Sequence, residues 1–183
     1  MAFETIKISK NDGVLTISLN RVEVKNAFNE LMIFELTNAI QMVTKDDRIV
    51  LINGEGDTFC SGGDLHWMKK SLSFTSAENY SDAKNLSSMF QLINECPIPV
   101  IGVVQRFALG GGVGLVSVCD YVIAEKGTKF SLSEVKLGLI PACIGPFVLS
   151  KIGESWSRAL FLSANRFDTE IALKIGLIHE IAN

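Results

Sequence analysis

Two glycine-rich corners carry the first chemical signal in this 183-residue sequence. The segment Phe107-Ala108-Leu109-Gly110-Gly111-Gly112-Val113-Gly114-Leu115 follows an apolar run, Val100-Ile101-Gly102-Val103-Val104, that reads as a buried strand. It precedes a second apolar run, Leu115 to Cys119, that fits a helix. Adjacent glycines let the backbone approach a ligand without a Cβ in the way, and a helix start leaves N–H groups unpaired. Such a corner suits developing negative charge. The other corner, Phe59-Cys60-Ser61-Gly62-Gly63-Asp64-Leu65, follows the strand-like Arg48 to Asn53. Together they predict a two-donor oxyanion hole, in which two backbone N–H groups hold one oxygen.

Other glycine-based chemistries fail on spacing. Counting from Gly110 or from Gly112, the sixth position of a G-x-G-x-x-G pattern falls on Leu115 or Ser117, so no dinucleotide fingerprint forms. No G-K-[ST] follows the run, and no G-x-S-x-G elbow occurs. The histidines, His66 and His179, have no Cys, Asp or Glu clustered at ligand spacing, and no metal is expected. Cys60, Cys96, Cys119 and Cys143 are scattered and read as buried free thiols.

Three polar side chains keep two readings each. Glu134, in Phe130-Ser131-Leu132-Ser133-Glu134-Val135, is either an exposed cap or ion-pair partner, or a general acid/base whose apolar surroundings raise its pKa. His66, just after a glycine corner, is either a surface residue or part of a ligand lining. Arg106 is either a solvent-facing turn residue or a two-point partner for a substrate carboxylate.

The elements that must position these residues alternate between strand and helix. Phe3 to Ser9 and Val14 to Leu19 alternate in polarity around Asn11-Asp12-Gly13, a hairpin pattern. Leu31, Phe34, Ile40 and Val43 recur near helical spacing, predicting a helix of about 16 residues from Asn29. Ser76 to Glu95 reads as a long helix stopped by Pro97 and Pro99, followed by a strand from Ile98 to Val104. Asp120 to Glu125 and Lys129 to Leu132 read as strands, and Pro146 to Ile175 as helical segments with glycine breaks. Leu177 to Ile181 reads as a last short strand. This order predicts an α/β fold with a largely parallel sheet in one domain, residues 1–183.

Composition narrows the class. With 48% hydrophobic residues the chain can bury a sizeable core. A net charge of −3 without a basic patch argues against nucleic-acid binding. No leader-like N-terminus and no bilayer-length apolar run occur, so no membrane partner is expected and a cytoplasmic location is.

The ordered pieces Lys25-Asn26-Ala27, Phe59 to Leu65, Ala108 to Gly112, Cys119-Asp120, Glu134 to Pro141, Leu162 to Ala172 and Gly176-Leu177-Ile178 resemble the crotonase, or enoyl-CoA hydratase/isomerase, superfamily. Details such as Asp64-Leu65-His66-Trp67-Met68 and Gly112-Val113-Gly114-Leu115 are most similar to bacterial methylglutaconyl-CoA hydratase-like members. The resemblance implies a crotonase-like spiral of ββα units with two roughly perpendicular sheets. It also implies an acyl-CoA substrate, with no cofactor beyond the coenzyme A of the substrate itself, and homotrimers or hexamers among full-length relatives. Carried over by position, the N–H groups of Gly63 and Gly111 hold the thioester oxygen, and Glu134 is the acid/base. The backbone around Val24, Ser61, Asp64, Leu65 and His66 lines the CoA path, and Trp67, Leu139 and Pro141 wall the acyl pocket.

Three departures from the family pattern stand out. A first catalytic glutamate falls at Gly114, the usual Asn-Gly turn is Gln105-Arg106, and the family's C-terminal helical region is absent. Without that region, the resemblance implies exposed apolar surface and a CoA pocket open on one side. The expectation is an enoyl-CoA hydratase adding water to an α,β-unsaturated thioester, methylglutaconyl-CoA-like substrates included. The alternatives are an enoyl-CoA isomerase, which needs one carboxylate, and a catalytically silent CoA-binding member.

Overall fold

A computed structural model describes residues 3–183. The chain opens with an antiparallel hairpin, β1 (Ile6–Asn11) and β2 (Val14–Leu19). Its turn works because Asp12 and Gly13 both take positive φ, +49° and +77°. Helix α1 (Glu30–Gln41) begins where Asn29 accepts a hydrogen bond from the Met32 N–H, and it is shorter than its apolar periodicity predicts. Next come β3 (Ile49–Gly54), α2 (Leu65–Ser71) and α3 (Ser76–Asn94). A reciprocal Thr75–Glu78 capping box starts α3.

The second half repeats one pattern. β4 (Val100–Val104) is followed by β5 (Phe107–Leu109) and α4 (Gly111–Ser117). β6 (Tyr121–Glu125) is followed by β7 (Lys129–Ser131), α5 (Gly145–Ser163) and α6 (Thr169–Lys174). Each turn adds one strand to a large sheet and one to a small sheet before the helices. β8 (Glu180–Ala182) closes the large sheet, whose order is β1-β2-β3-β4-β6-β8, parallel beyond the opening hairpin. β5 and β7 form the small parallel sheet, which single bridges Cys60–Ala108 and Phe130–Phe167 extend on either side. The mixed α/β spiral with two sheets is thus the observed architecture.

Several boundaries differ from the sequence reading. Phe3 to Thr5 lies outside β1; Thr5 instead donates, through N–H and hydroxyl, to the buried Glu35 carboxylate. α4 starts inside the glycine run rather than at Leu115, and Phe107 to Leu109 is a strand rather than part of a loop. The last strand starts three residues later and ends one residue later than expected. The glycine break in the C-terminal helical region is real: α5 is interrupted at Gly153, with φ of +74°.

The core lies between the large sheet and its helices. Phe28, Phe59, Phe90 and Phe130 are fully buried within it, each such side chain contributing about 1.5–3 kcal/mol. Phe28 and Phe90 meet edge to face at 6.0 Å. The Phe28 ring lies against Gly111, and the Phe90 ring lies against Gly114 in α4. Among the described residues no helix is long and apolar enough to cross a membrane.

Candidate active site

Backbone pairing, not side-chain contact, holds the two corners together. The Cys60 N–H donates to the Phe107 carbonyl at 3.1 Å, and the Leu109 N–H donates to the Cys60 carbonyl at 3.0 Å. On the other side of the Cys60–Gly63 segment runs Phe28. Its N–H donates to the Gly62 carbonyl at 2.7 Å, and its carbonyl accepts from the Asp64 N–H at 2.8 Å. These bonds use the neighbours of Gly63 and leave its own N–H out of the ladder. The Gly111 N–H is left over for a different reason, since it is the first residue of α4. Among the described residues, neither N–H has a protein acceptor. Both glycines are half-buried, and a donor that loses water without gaining an acceptor costs free energy, so an oxygen placed between these loops would be stabilised by what the fold leaves unpaired.

Close approach explains the glycines. Gly62 has a φ of +95°, and a β-carbon there would lie 2.9 Å from the Leu109 carbonyl oxygen. Phe28 is the residue that sequence reasoning missed here. Its backbone flanks Gly63 while its ring lies about van der Waals distance from Gly111, 3.1 Å from the place of a β-carbon. One residue, through its backbone at one corner and its ring at the other, therefore touches both. The sequence signal was its position next to Lys25-Asn26-Ala27, where Asn26 is buried and bridges the carbonyls of Glu55 and Thr58.

Glu134 reaches the same place from β7. Pairing of β7 with β5 is continued by the Gly110 N–H, which donates to the Ser131 carbonyl at 2.8 Å. Glu134 opens the following 3-10 turn, Glu134–Leu137, and its Oε1 lies 3.1 Å from the place of a β-carbon on Gly110. Its Oε2 is buried and has no partner among the described residues. Burial pushes its pKa up, against a smaller opposing contribution from its own backbone N–H. An uncapped, unpaired carboxyl beside two free N–H groups removes the cap or ion-pair reading.

Asp64 has the opposite environment. Burial raises its pKa, but the His66 N–H at 2.8 Å and the Arg21 guanidinium at 2.8 Å outweigh that and hold it low. Its carboxylate is fully engaged in capping α2 and anchoring Arg21, which also donates to the Ala27 carbonyl at 2.7 Å. Asp64 is thus a positioning residue for the Gly63 corner. The sequence offered no sign of the Arg21 partnership, which joins distant segments.

The remaining predicted residues fall at different places. Ser61 donates its hydroxyl to the Val24 carbonyl at 3.2 Å, so those two segments are joined beside the corner. Leu65 is exposed, and the His66 side chain is almost wholly in solvent, which leaves only its backbone near the corner. Trp67 packs against the core, and its ring edge is 3.9 Å from the place of a β-carbon on Gly63. Leu139 is exposed and Pro141 half-buried on the segment after Glu134. Of the two readings of Arg106, the solvent-facing turn residue with a local contact is the one observed. It sits at the opposite end of β5 from Gly110 and pairs with Asp57 at 2.7 Å in solvent. His179 is no ligand either: its Nδ1 accepts from the Val122 N–H at 3.0 Å and its ring stacks on Tyr121.

At Gly114 the space is already filled. A β-carbon there would lie 2.3 Å from Ile144 Cγ2 and 3.1 Å from Phe90 Cζ. An apolar wall stands where a second carboxylate would have to start.

Comparison with known proteins agrees with this arrangement. The family model described as enoyl-CoA hydratase/isomerase matches residues 9–183. An enoyl-CoA hydratase of Alternaria alternata is 33% identical over 96% of the chain, which spans only 58% of that relative's length. A crotonyl-CoA hydratase of Syntrophomonas wolfei is 32% identical, covering 99% of this chain and 70% of its own. The crystal structure of an enoyl-CoA hydratase from Shewanella pealeana superposes with a TM-score of 0.97 at 36% identity, covering 99% of this chain and 69% of that one. Spiral, paired glycine corners and sequence agree, and the chain belongs to the enoyl-CoA hydratase/isomerase family.

Proposed function

We propose that this protein is an enoyl-CoA hydratase, adding water across the α,β-double bond of an acyl-CoA thioester. The observation that carries the reading is the pair of unpartnered N–H groups, Gly63 and Gly111, beside the buried Glu134 carboxyl. Two donors fixed at one oxygen favour the enolate-like transition state over the neutral thioester, which is where the rate gain arises. Glu134, with its proton affinity raised by burial, accepts a proton from the attacking water and returns one to the α-carbon. The relatives named enoyl-CoA and crotonyl-CoA hydratase support the same chemistry. The backbone of Val24, Ser61, Asp64, Leu65 and His66 is the proposed CoA path, and Trp67, Leu139 and Pro141 are the acyl-side walls. The site requires no cofactor other than the coenzyme A carried by the substrate. Cytoplasmic location and self-association belong to this proposal as well.

The filled space at Gly114 favours a second reading, an enoyl-CoA isomerase, because one carboxylate suffices to move a proton along an allylic system. Mass spectrometry of products from an enoyl-CoA panel in ¹⁸O water separates the two. Hydration places ¹⁸O in the β-hydroxyacyl product. Conversion of a β,γ-enoyl thioester without label uptake would instead establish the isomerase.

A further inference from the structure

The hydrogen bonds that join the two glycine corners stop short of the donors. Cys60 pairs with Phe107 and Leu109, and beyond them the segments part. The Gly62 carbonyl turns to the Phe28 N–H, and the Gly110 N–H turns to the Ser131 carbonyl. Among the described residues no backbone hydrogen bond links residues 61–64 to residues 110–112. Gly62 rests on the Leu109 carbonyl, again short of both donors. The spacing of the Gly63 and Gly111 N–H groups therefore depends on what packs against them.

Phe28 is the residue that reaches both. Its main chain clamps Gly63 from either side, donating to the Gly62 carbonyl at 2.7 Å and accepting from the Asp64 N–H at 2.8 Å. Its ring edge, Cδ2 and Cε2, lies 3.1 and 3.2 Å from the place of a β-carbon on Gly111. Apart from the chain neighbours of Gly111 and the backbone of its own helix, no other group comes within 4 Å of that place. The ring has nowhere to retreat. It is 1% exposed, and Phe90 backs it edge to face at 6.0 Å. Phe90 is itself fully buried and packs on Phe147 at 6.1 Å. At the packing density of a protein interior, such a side chain transmits a displacement rather than absorbing it.

We propose that the Phe28 ring is a positioning residue for the reaction, holding the Gly63 and Gly111 N–H groups at the separation at which both reach one thioester oxygen. This rests on the oxyanion reading above and adds to it the side chain that tunes the hole. Two donors stabilise developing charge only where both lie about 2.7–3.1 Å from it. A displacement of about 1 Å at one of them can cost about a hundredfold in rate. An interaction that matters chiefly in the transition state is lost from kcat rather than from KM.

The test uses the full chain and two readouts. One is the infrared carbonyl stretch of bound butyryl-CoA carrying ¹³C at the thioester carbon, a saturated ligand that takes up no water. The other is kcat and KM on crotonyl-CoA. Phe28→Leu and Phe28→Met both remove the flat ring, and the unbranched Met side chain refills irregular space that Leu leaves open. Both variants should show a smaller downshift of the bound carbonyl than the native protein. Their kcat should fall at least about tenfold while KM stays within about threefold. Leu36→Ala, which opens a cavity in the same core from the middle of α1, should keep the native frequency. The stretch is a property of each bound ligand, so partial loss of folded protein does not alter it. A native frequency or native kcat in both Phe28 variants, or an equal frequency change in Leu36→Ala, would overturn the proposal and leave the hydratase reading standing. Absence of any downshift in the native protein would overturn the oxyanion reading and this proposal with it.

Discussion

Ile144 and Gly114 are matched in volume: the Cγ2 of one occupies the place where the other would carry a β-carbon, 2.3 Å away. The pairing leaves no room for a carboxylate at Gly114, because Ile144 and Phe90 close that face of α4 with apolar atoms. A simple exchange predicts the consequence. Gly114→Ala should destabilise the fold by about 1–3 kcal/mol through overpacking. Adding Ile144→Ala should recover part of that loss, since the second change makes the room the first requires. Urea denaturation of the two single variants and the double variant measures the coupling. Strictly additive losses would mean that the two residues do not compete for space.

The role proposed for Glu134 sets catalysis against stability. Its carboxyl is buried without a partner, and its pKa is raised above the unfolded value. The folded state therefore binds the proton more tightly, and the stabilisation present below an unfolded pKa of about 4.3 is lost as pH rises through the folded pKa. At neutral pH the ionised group is a liability. Glu134→Gln should consequently keep or raise the unfolding free energy at pH 7, while lowering turnover of the best substrate at least about a hundredfold. Thermal melts and kinetics on one preparation check both halves. A variant that is both less stable and fully active would contradict the assignment.

His179 gives a stability signal separable from the site. Burial first, and then the Lys151 ammonium, lower its pKa, and its Nδ1 is occupied by the Val122 N–H. The unfolded chain therefore binds this proton more readily than the folded one. Stability should be flat above an unfolded histidine pKa of about 6.5 and fall as pH drops below it. Urea midpoints between about pH 7 and 5.5 should show that slope, and His179→Asn should flatten it. An unchanged slope in the variant would assign the pH dependence to other groups.

Thiol chemistry provides a test of the packing around the corners. Burial pushes the Cys60 thiol up to about 12, and it does the same for Cys119. Both should resist alkylation by iodoacetamide in the native protein, while the half-buried Cys96 and Cys143 react first. Mass mapping of the labelled peptides gives the order. Early labelling of Cys60 would show that the Cys60–Ala108 pairing opens readily.

The legible parts of the structure were those fixed by local pattern. The hairpin, the long helix before Pro97 and the strand before the glycine run follow from alternation, helical spacing and breakers within one stretch of chain. The glycine corners were legible for a similar reason, since close backbone approach leaves a compositional mark. Helix α2 left none: it has seven residues, none of them fully buried, so no apolar periodicity announces it. Helix α4 was misplaced because glycine disfavours helices intrinsically, whereas here a β-carbon on Gly112 would lie 2.7 Å from the Cys60 carbonyl oxygen and one on Gly111 would lie 3.1 Å from the Phe28 ring. The contacts that give the site its character were not legible at all. Phe28 under Gly111, Arg21 on Asp64 and Ile144 against Gly114 join segments separated by about thirty residues or more, and nothing in either segment names its partner. Arg106 shows the converse case: its local chemistry left a substrate carboxylate and a solvent-facing turn both open, and the fold supplies Asp57 in solvent.

The central claim is that Gly63 and Gly111 donate to one thioester oxygen. Isotope-edited infrared difference spectroscopy reports that bond directly. An unsaturated acyl-CoA carrying ¹³C at the thioester carbonyl would be bound to the Glu134→Gln variant, which holds the ligand without consuming it. The account predicts a carbonyl stretch shifted to lower frequency than in free ligand, because two donors polarise the bond. A bound carbonyl stretching at its solution frequency would contradict it.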